Sequence, residues 1–169
     1  IEVGVREAQE RIEIAQSLQN TLAQVGITMN ITVGTAKQIL GRYRARELDV
    51  YLGAWGPDYP DPQTNAGTFA YNPDNSDEAK ATGLLAYRNA WDPGDMSGKV
   101  DAAVTEGDVD KRRTMYHEMQ DLCSNDGGVV IPMYANYVDA NSTKLAHPET
   151  LGNVYGMDSN RILERWWFA

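Results

Sequence analysis

Apolar residues in the first part of the chain follow two different periods. Residues 1–5 and 27–33 alternate apolar and polar side chains, which is typical of β-strands with one buried face. Between them, apolar residues recur three and four positions apart, which predicts an amphipathic helix over residues 8–25. The members of this stripe are Ala8, Ile12, Ala15, Leu18, Leu22 and Val25. Gly26 is expected to end the helix, because glycine adopts a positive φ without steric cost.

The same alternation of strand and helix then continues. Gly34 and Thr35 supply a turn and an N-cap, so a second helix is predicted to extend to about Glu47. Residues 48–55 are mostly apolar and predict a third strand, which we expect to be buried. The order strand, helix, strand, helix, strand predicts an α/β fold whose sheet is partly parallel and has right-handed crossovers.

The middle of the sequence changes character. Residues 56–77 are rich in Pro, Asp, Asn, Gly and Thr and show no period, which predicts a long loop of turns. Loops of this length inside a compact domain are usually functional or disordered. The aromatic residues Tyr59, Phe69 and Tyr71 indicate that this loop packs against the rest of the protein.

Apolar residues follow a helical period again after residue 98. Residues 99–106 and 109–124 are predicted as helices, and Asp108 is the expected N-cap of the second. Its predicted apolar face consists of Val109, Tyr116, Met119, Leu122 and Cys123. Residues 129–134 predict an apolar strand, which Pro132 assigns to a sheet edge or a bend.

Composition and charge narrow the range of partners. The 169 residues are 42% hydrophobic and 23% charged, which is a normal globular mixture. The net charge is −9 and no basic stripe is present, which argues against binding to nucleic acid or anionic lipid. Cys123 is the single cysteine, so no intramolecular disulfide can form, and we expect a small buried hydrophobe there. No apolar run approaches the roughly 20 residues of a membrane helix.

Four stretches of the sequence resemble the peptide/nickel type, family 5, of bacterial ABC-transporter solute-binding proteins. The most specific is LDVY at 48–51 followed by WGPDYPDP at 55–62, where a strand ends in Trp, two residues, Asp and then Asp-Pro. The others are IAQSLQ at 14–19 with VGI at 25–27, VDKR at 109–112 with MYHE at 115–118, and VIPMY at 130–134. Together they extend over nearly the whole chain and resemble the C-terminal part of the family's members.

The resemblance implies the C-terminal segment of a periplasmic-binding-protein-like fold, in which two α/β lobes close on a ligand. Residues 1–134 would belong to the second lobe, with its sheet flanked by helices. Residues 135–169 would form the hinge return and a segment packed on the first lobe. The implied partners are a peptide-like ligand, ABC permease subunits and an N-terminal part of the same protein that precedes Ile1. The implied location is periplasmic or extracytoplasmic, either free or lipid-anchored.

Asp58 is the first candidate for ligand binding. In peptide-binding members of the family, an aspartate at this motif position pairs with the peptide's α-amino group, and a closing cleft strengthens such a pair by excluding water. The alternative is a turn aspartate that caps backbone amides. Trp55 is either a wall of the cleft or a core residue. Asn65, Thr64 and Arg88 are weaker candidates, and Arg88 is either a clamp for a ligand carboxylate or a brace of its own loop.

Two other classes of function stay open at this point. Asp58 and Asp61 could form the carboxylate pair of a glycoside hydrolase, although their spacing in sequence says little about their separation in space. The third possibility is an interaction protein with no small ligand. His117 and His147 have no second ligand at metal-binding spacing, so no metal or cofactor is predicted. We expect a binding protein rather than an enzyme.

Overall fold

The computed structural model describes residues 1–59, residues 61–134 and Lys144. The first part contains β1 (Glu2–Arg6), α1 (Gln9–Ala23), β2 (Asn30–Gly34), α2 (Ala36–Arg44) and β3 (Val50–Leu52). The second part contains α3 (Pro62–Phe69), a 3₁₀ turn at Asp77–Ala79, α4 (Leu85–Arg88), α5 (Met96–Thr105) and α6 (Val109–Asp126). Among these described helices, none is both long and apolar enough to cross a membrane.

The three strands form one parallel sheet in the order β2–β1–β3. Val3 of the central strand lies opposite Ile31 on one side and Val50 on the other. Helix α1 connects β1 to β2, and α2 lies between β2 and β3 in the chain. The prediction of an α/β fold with a parallel sheet flanked by helices is therefore confirmed.

The two faces of β1 are covered differently. Val3 and Val5 are buried on the face that packs against α1, where they meet the fully buried Ala15. Because side chains alternate along a strand, Gly4 between them belongs to the opposite face. There the side chain of Leu48 lies so close that a Cβ at Gly4 would collide with it. Glycine at this position therefore makes room for the Leu48 side chain on the second face of the sheet.

Local capping signals in the sequence correspond to the observed helix ends. The Thr35 side chain accepts the N–H of Gln38 at 3.4 Å, and the Gln38 side chain accepts the N–H of Thr35 at 3.0 Å. Asp108 accepts the N–H of Lys111 at 2.9 Å and caps α6. Gly26 has φ +82° after the end of α1. These three predictions are confirmed because each depends on residues within four positions of one another.

A second apolar core joins α3, α5 and α6. Its buried members are Ala66, Ala70, Met96, Val100, Ala103, Tyr116 and Met119. Cys123 packs against this core, and partial burial raises the pKa of its thiol, in accord with the predicted small hydrophobe. The predicted apolar face of α6 is correct at Tyr116 and Met119 and wrong at Val109, which is exposed at the first position of the helix.

The prediction of an irregular loop over residues 56–77 is wrong, because this region contains α3. Asp61 caps the helix by accepting the N–H of Gln63 at 2.8 Å. Pro62 occupies the first helical position, where its missing N–H costs nothing. The helix has eight residues, and those it buries are a threonine and an alanine. No row of large apolar residues marks it, so the search for a hydrophobic period missed it.

Two predicted strands also differ from the structure. β3 contains three residues rather than residues 48–55, and it is a half-exposed edge strand rather than a buried one. Residues 129–134 form no strand, and Val130 and Tyr134 are exposed. Pro132 has no N–H to donate, and no strand in the described part of the chain lies beside this segment. Apart from Lys144, the predicted hinge return and first-lobe segment at 135–169 lie outside the described residues.

Candidate functional site

The candidate site lies where the chain leaves β3 and enters α3. In α/β sheets, ligands bind outside the carboxyl ends of the strands, and β3 ends at Leu52. Residues 53–59 extend from this end, and α3 then returns its first turn toward them. Four of the five residues predicted from the sequence come together here, and we call them the turn cluster. They are Trp55, Asp58, Thr64 and Asn65.

Trp55 is fixed at two points and remains accessible. Its indole Nε1–H donates to Asn65 Oδ1 at 2.9 Å, and its ring meets Phe69 edge to face with centroids 5.5 Å apart. The side chain is nevertheless 43% exposed. Trp55 therefore presents a rigid aromatic surface at the end of the sheet, and the alternative of a buried core residue is wrong.

Asp58 is held through its backbone, not through its carboxylate. Its N–H donates to Thr64 Oγ1 at 3.4 Å, and Thr64 itself is buried with 6% exposure. The Asp58 side chain is exposed, and its carboxylate has no hydrogen-bond or ion-pair partner among the described residues. The alternative of a carboxylate that caps backbone amides is thus not what the structure shows. Within the described part of the chain, Asp58 thus presents a carboxylate without a partner on an anchored backbone.

Asp61 has a structural partner on α6. Arg112 donates to both of its carboxylate oxygens, with Nη2···Oδ1 at 2.8 Å and Nη1···Oδ2 at 3.1 Å. This fork-to-fork pair, together with the N–H of Gln63, holds the pKa of the Asp61 carboxyl below its usual range. A general acid needs a raised pKa instead, so Asp61 is unsuited to that role, and both of its carboxylate oxygens are already engaged by Arg112.

Arg88 does not join the turn cluster. It donates to the carbonyl oxygens of Thr82 at 2.7 Å and Gly83 at 3.4 Å, which makes it a brace for the segment before α4. Its guanidinium lies 5.5 Å from the centroid of the Tyr43 ring, which in turn stacks on Tyr51 at 4.3 Å. Burial lowers the pKa of Arg88 from its usual range. Sequence reasoning missed this aromatic pair, because Tyr43 and Tyr51 lie on different elements.

The described residues provide no cluster of side chains that could bind a metal ion. In residues 1–59 and 61–134, no group of three or more His, Cys, Asp or Glu side chains is arranged to hold an ion. His117 is exposed, and it lines a surface depression together with Pro62 and Tyr116. His147 lies outside the described residues.

The fold can be compared with those of known proteins. The parallel sheet flanked by helices matches the fold of two solved periplasmic binding proteins. Residues 3–77 match the family model for bacterial extracellular solute-binding proteins, family 5 middle. The resemblance to family 5 solute-binding proteins that the sequence predicted is therefore confirmed.

Individual relatives can also be named. The oligopeptide-binding protein AliB of two Streptococcus pneumoniae strains is 26% identical over 171 residues, which cover 90% of this chain and 24% of that protein. The chain thus spans about a quarter of the length of these curated relatives.

Two solved structures share the fold. The ABC transporter-associated periplasmic binding protein DppA from Helicobacter pylori, in complex with the peptide STSA, aligns with a TM-score of 0.62 and 19% identity. NikZ from Campylobacter jejuni, in complex with Ni(L-His), aligns with a TM-score of 0.57 and 16% identity. Each alignment covers 72% of this chain and 23% of the other chain. At these identities the likeness shows the fold alone.

Proposed function

We propose that this chain is part of the extracytoplasmic solute-binding component of an ABC importer, which binds a peptide-like molecule and delivers it to a permease. Residues 1–134 would form part of the second lobe, and residues 135–169 the hinge return and a segment on the first lobe. The remaining part of the same protein and the permease subunits would be its macromolecular partners. The match to family 5 and the similarity to an oligopeptide-binding protein support this proposal. No catalytic role is proposed for any residue.

The observation that carries the proposal is the state of Asp58. An exposed carboxylate on an anchored backbone, with no partner among the described residues, is ready to pair with a cation. Between two lobes that exclude water, the attraction between Asp58 and a peptide's α-ammonium group would strengthen several-fold relative to bulk water. A peptide amine is the cation that we assign to this position.

The other members of the turn cluster would shape the pocket around that ion pair. Trp55 would form an apolar wall for the peptide, and its indole is already fixed by Asn65 and Phe69. Thr64 would act indirectly, because its hydroxyl holds the backbone of Asp58. Arg88 lies outside the turn cluster, and it would brace the segment before α4 rather than bind a carboxylate of the ligand.

The test uses the full-length protein and a panel of di- to tetrapeptides that includes Ser-Thr-Ser-Ala. A thermal-shift screen selects the tightest binder, which calorimetry then compares with its N-acetylated form. We expect acetylation to weaken wild-type binding by about tenfold or more, which corresponds to about 1.4 kcal/mol. Asp58→Asn should bind both forms with nearly the same, weakened affinity.

A matched control is Asp49→Asn, because it makes the same chemical change at the residue that directly precedes β3. Asp49 accepts the backbone N–H of Glu2 at 2.7 Å and lies outside the turn cluster, so its variant should keep the preference for the free amine. Equal affinity of the wild-type protein for free and acetylated peptide would contradict the role of Asp58. Failure of every peptide to bind would contradict the peptide-like ligand itself.

A further inference from the structure

Arg112 connects the turn cluster to the helical part of the fold. Its Nε donates to the carbonyl oxygen of Ala103 at 3.0 Å, near the end of α5, while its two terminal nitrogens bond Asp61. Its Nη2 also donates to Tyr116 Oη at 3.0 Å, and that hydroxyl donates to Gln63 Oε1 at 2.8 Å. One guanidinium therefore fixes the first turn of α3 to both α5 and α6.

The first turn of α3 is also the part of the molecule that orders the proposed solute site. The carbonyl of Asp61 accepts the N–H of Thr64 at 3.1 Å, and the Thr64 hydroxyl accepts the N–H of Asp58. The next residue, Asn65, accepts the indole N–H of Trp55. A series of hydrogen bonds thus leads from Arg112 through Asp61 and Thr64 to Asp58. Trp55 is held by the residue that follows Thr64 in the same helical turn.

We propose that Arg112 is a positioning residue of the solute site: it sets the orientation of α3, and through it the placement of Asp58 and Trp55, without touching the ligand. The proposal rests on the proposed function for the nature of the ligand, and on the contacts above for the coupling. A site anchored on a helix that is itself clamped keeps its geometry to a fraction of an ångström, and charge recognition depends on that precision.

The chain provides a matched control next to Arg112. Arg113 carries the same charge on the same helix, but it is exposed, and among the described residues its side chain pairs only with Asp110, one turn earlier on α6, at 2.9 Å. Arg112→Gln and Arg113→Gln therefore change net charge and helix composition equally. They differ in whether the bonds to Asp61, Ala103 and Tyr116 are lost.

Two measurements on the full-length protein test the proposal. The first is the ratio of affinities for the selected peptide and for its N-acetylated form. Arg112→Gln should reduce a ratio of about ten to below about three. In the Asp58→Asn background, where the ratio is already about one, Arg112→Gln should cause no further reduction. A role limited to overall stability would lower the melting temperature but leave this ratio unchanged in the folded protein. Arg113→Gln should retain the wild-type ratio.

The second measurement does not depend on a ligand. In protein labelled with fluorotryptophan, the resonance of Trp55 is assigned by its loss in Trp55→Phe. Arg112→Gln should shift or broaden this resonance, and Arg113→Gln should not. An unchanged Trp55 resonance in Arg112→Gln would overturn the proposal, whatever peptide binds.

The two measurements separate the possible failures. If wild-type protein shows no preference for the free amine, the role of Asp58 fails, and the Trp55 resonance still decides whether Arg112 positions the cluster. If Arg112→Gln does not fold, Tyr116→Phe replaces it, because this variant removes only the hydroxyl that links Arg112 to Gln63. It should move the ratio and the resonance in the same direction by a smaller amount, and no movement in either would overturn the proposal.

Discussion

Arg46 lies over the face of Tyr87, with its guanidinium carbon 3.7 Å from the ring centroid. The same side chain donates through Nε to the carbonyl oxygen of Tyr87 at 2.7 Å and through Nη1 and Nη2 to two oxygens of Asn75. Asn75 in turn accepts from Asn72, which is buried. This contact joins the sheet layer, just after α2, to α4 and to the segment that precedes α4.

We expect Arg46→Ala to destabilise the protein by about 3 kcal/mol, because it removes several charge-assisted hydrogen bonds from a side chain with only 16% exposure. Arg46 also has φ +58°, a conformation that costs alanine about 1 kcal/mol more than glycine. Arg46→Gly should therefore be the milder change. Urea unfolding followed by circular dichroism measures both, with the exposed Arg44→Ala as a control that should cost less than about 0.5 kcal/mol.

The close approach of Leu48 to Gly4 leads to a second prediction. Gly4→Ala should cost about 1 kcal/mol, the low end for overpacking, because the new methyl group meets the terminal methyl of the half-buried Leu48 side chain, which must move aside. Leu48→Ala combined with Gly4→Ala should cost less than the sum of the two single changes. Gly41 in α2 has open space around the added methyl, so Gly41→Ala should stabilise by about 0.5–1 kcal/mol. Additive costs at Gly4 and Leu48 would contradict the observed contact.

The Glu2–Arg42 pair predicts a dependence on pH. Hydrogen bonds from Arg42 and then from Thr32 lower the pKa of Glu2 from its ordinary 4.5 to about 2. A depressed carboxyl pKa contributes stability that is fully present above about 4.5 and is lost as the pH falls toward about 2. Because the pair is accessible to solvent, salt should reduce the contribution.

Urea midpoints measured between about pH 2 and pH 6 test this dependence. Glu2→Gln should flatten the fall of stability in acid, since the proton-linked pair is gone. Glu7→Gln is the control, because Glu7 is exposed and its side chain has no ion pair in the described part of the chain. A wild-type curve that is parallel to the Glu2→Gln curve would contradict the contribution of this pair.

Sequence reasoning succeeded where a structure depends on residues close together in the chain. The capping box of Thr35 and Gln38 and the stop at Gly26 depend on a few neighbouring residues, and both are observed. The motif at 55–62 also named Trp55 and Asp58 as candidates, and their role in ligand binding stays a prediction.

Where a structure depends on distant partners, the sequence was a poor guide. Residues 129–134 have the composition of a strand, but a strand exists only beside another strand, and none accompanies them among the described residues. The eight residues of α3 lack a long apolar row, and the helix is stabilised by its Asp61 cap and by packing against α5 and α6. Neither outcome could be read from local periodicity.

The sequence by itself determined the order of the first strands and helices, their caps and the identity of the residues that carry charge and aromatic surface to the end of β3. Only the tertiary structure decided which of these residues are paired among the described residues. Asp58 and Asp61 are three positions apart and chemically identical, yet Arg112, 51 positions beyond Asp61, engages the second, while the first has no side-chain partner in the described part of the chain. That choice depends on how α6 packs against α3, because an ion pair is formed by distance in space and not by distance along the chain.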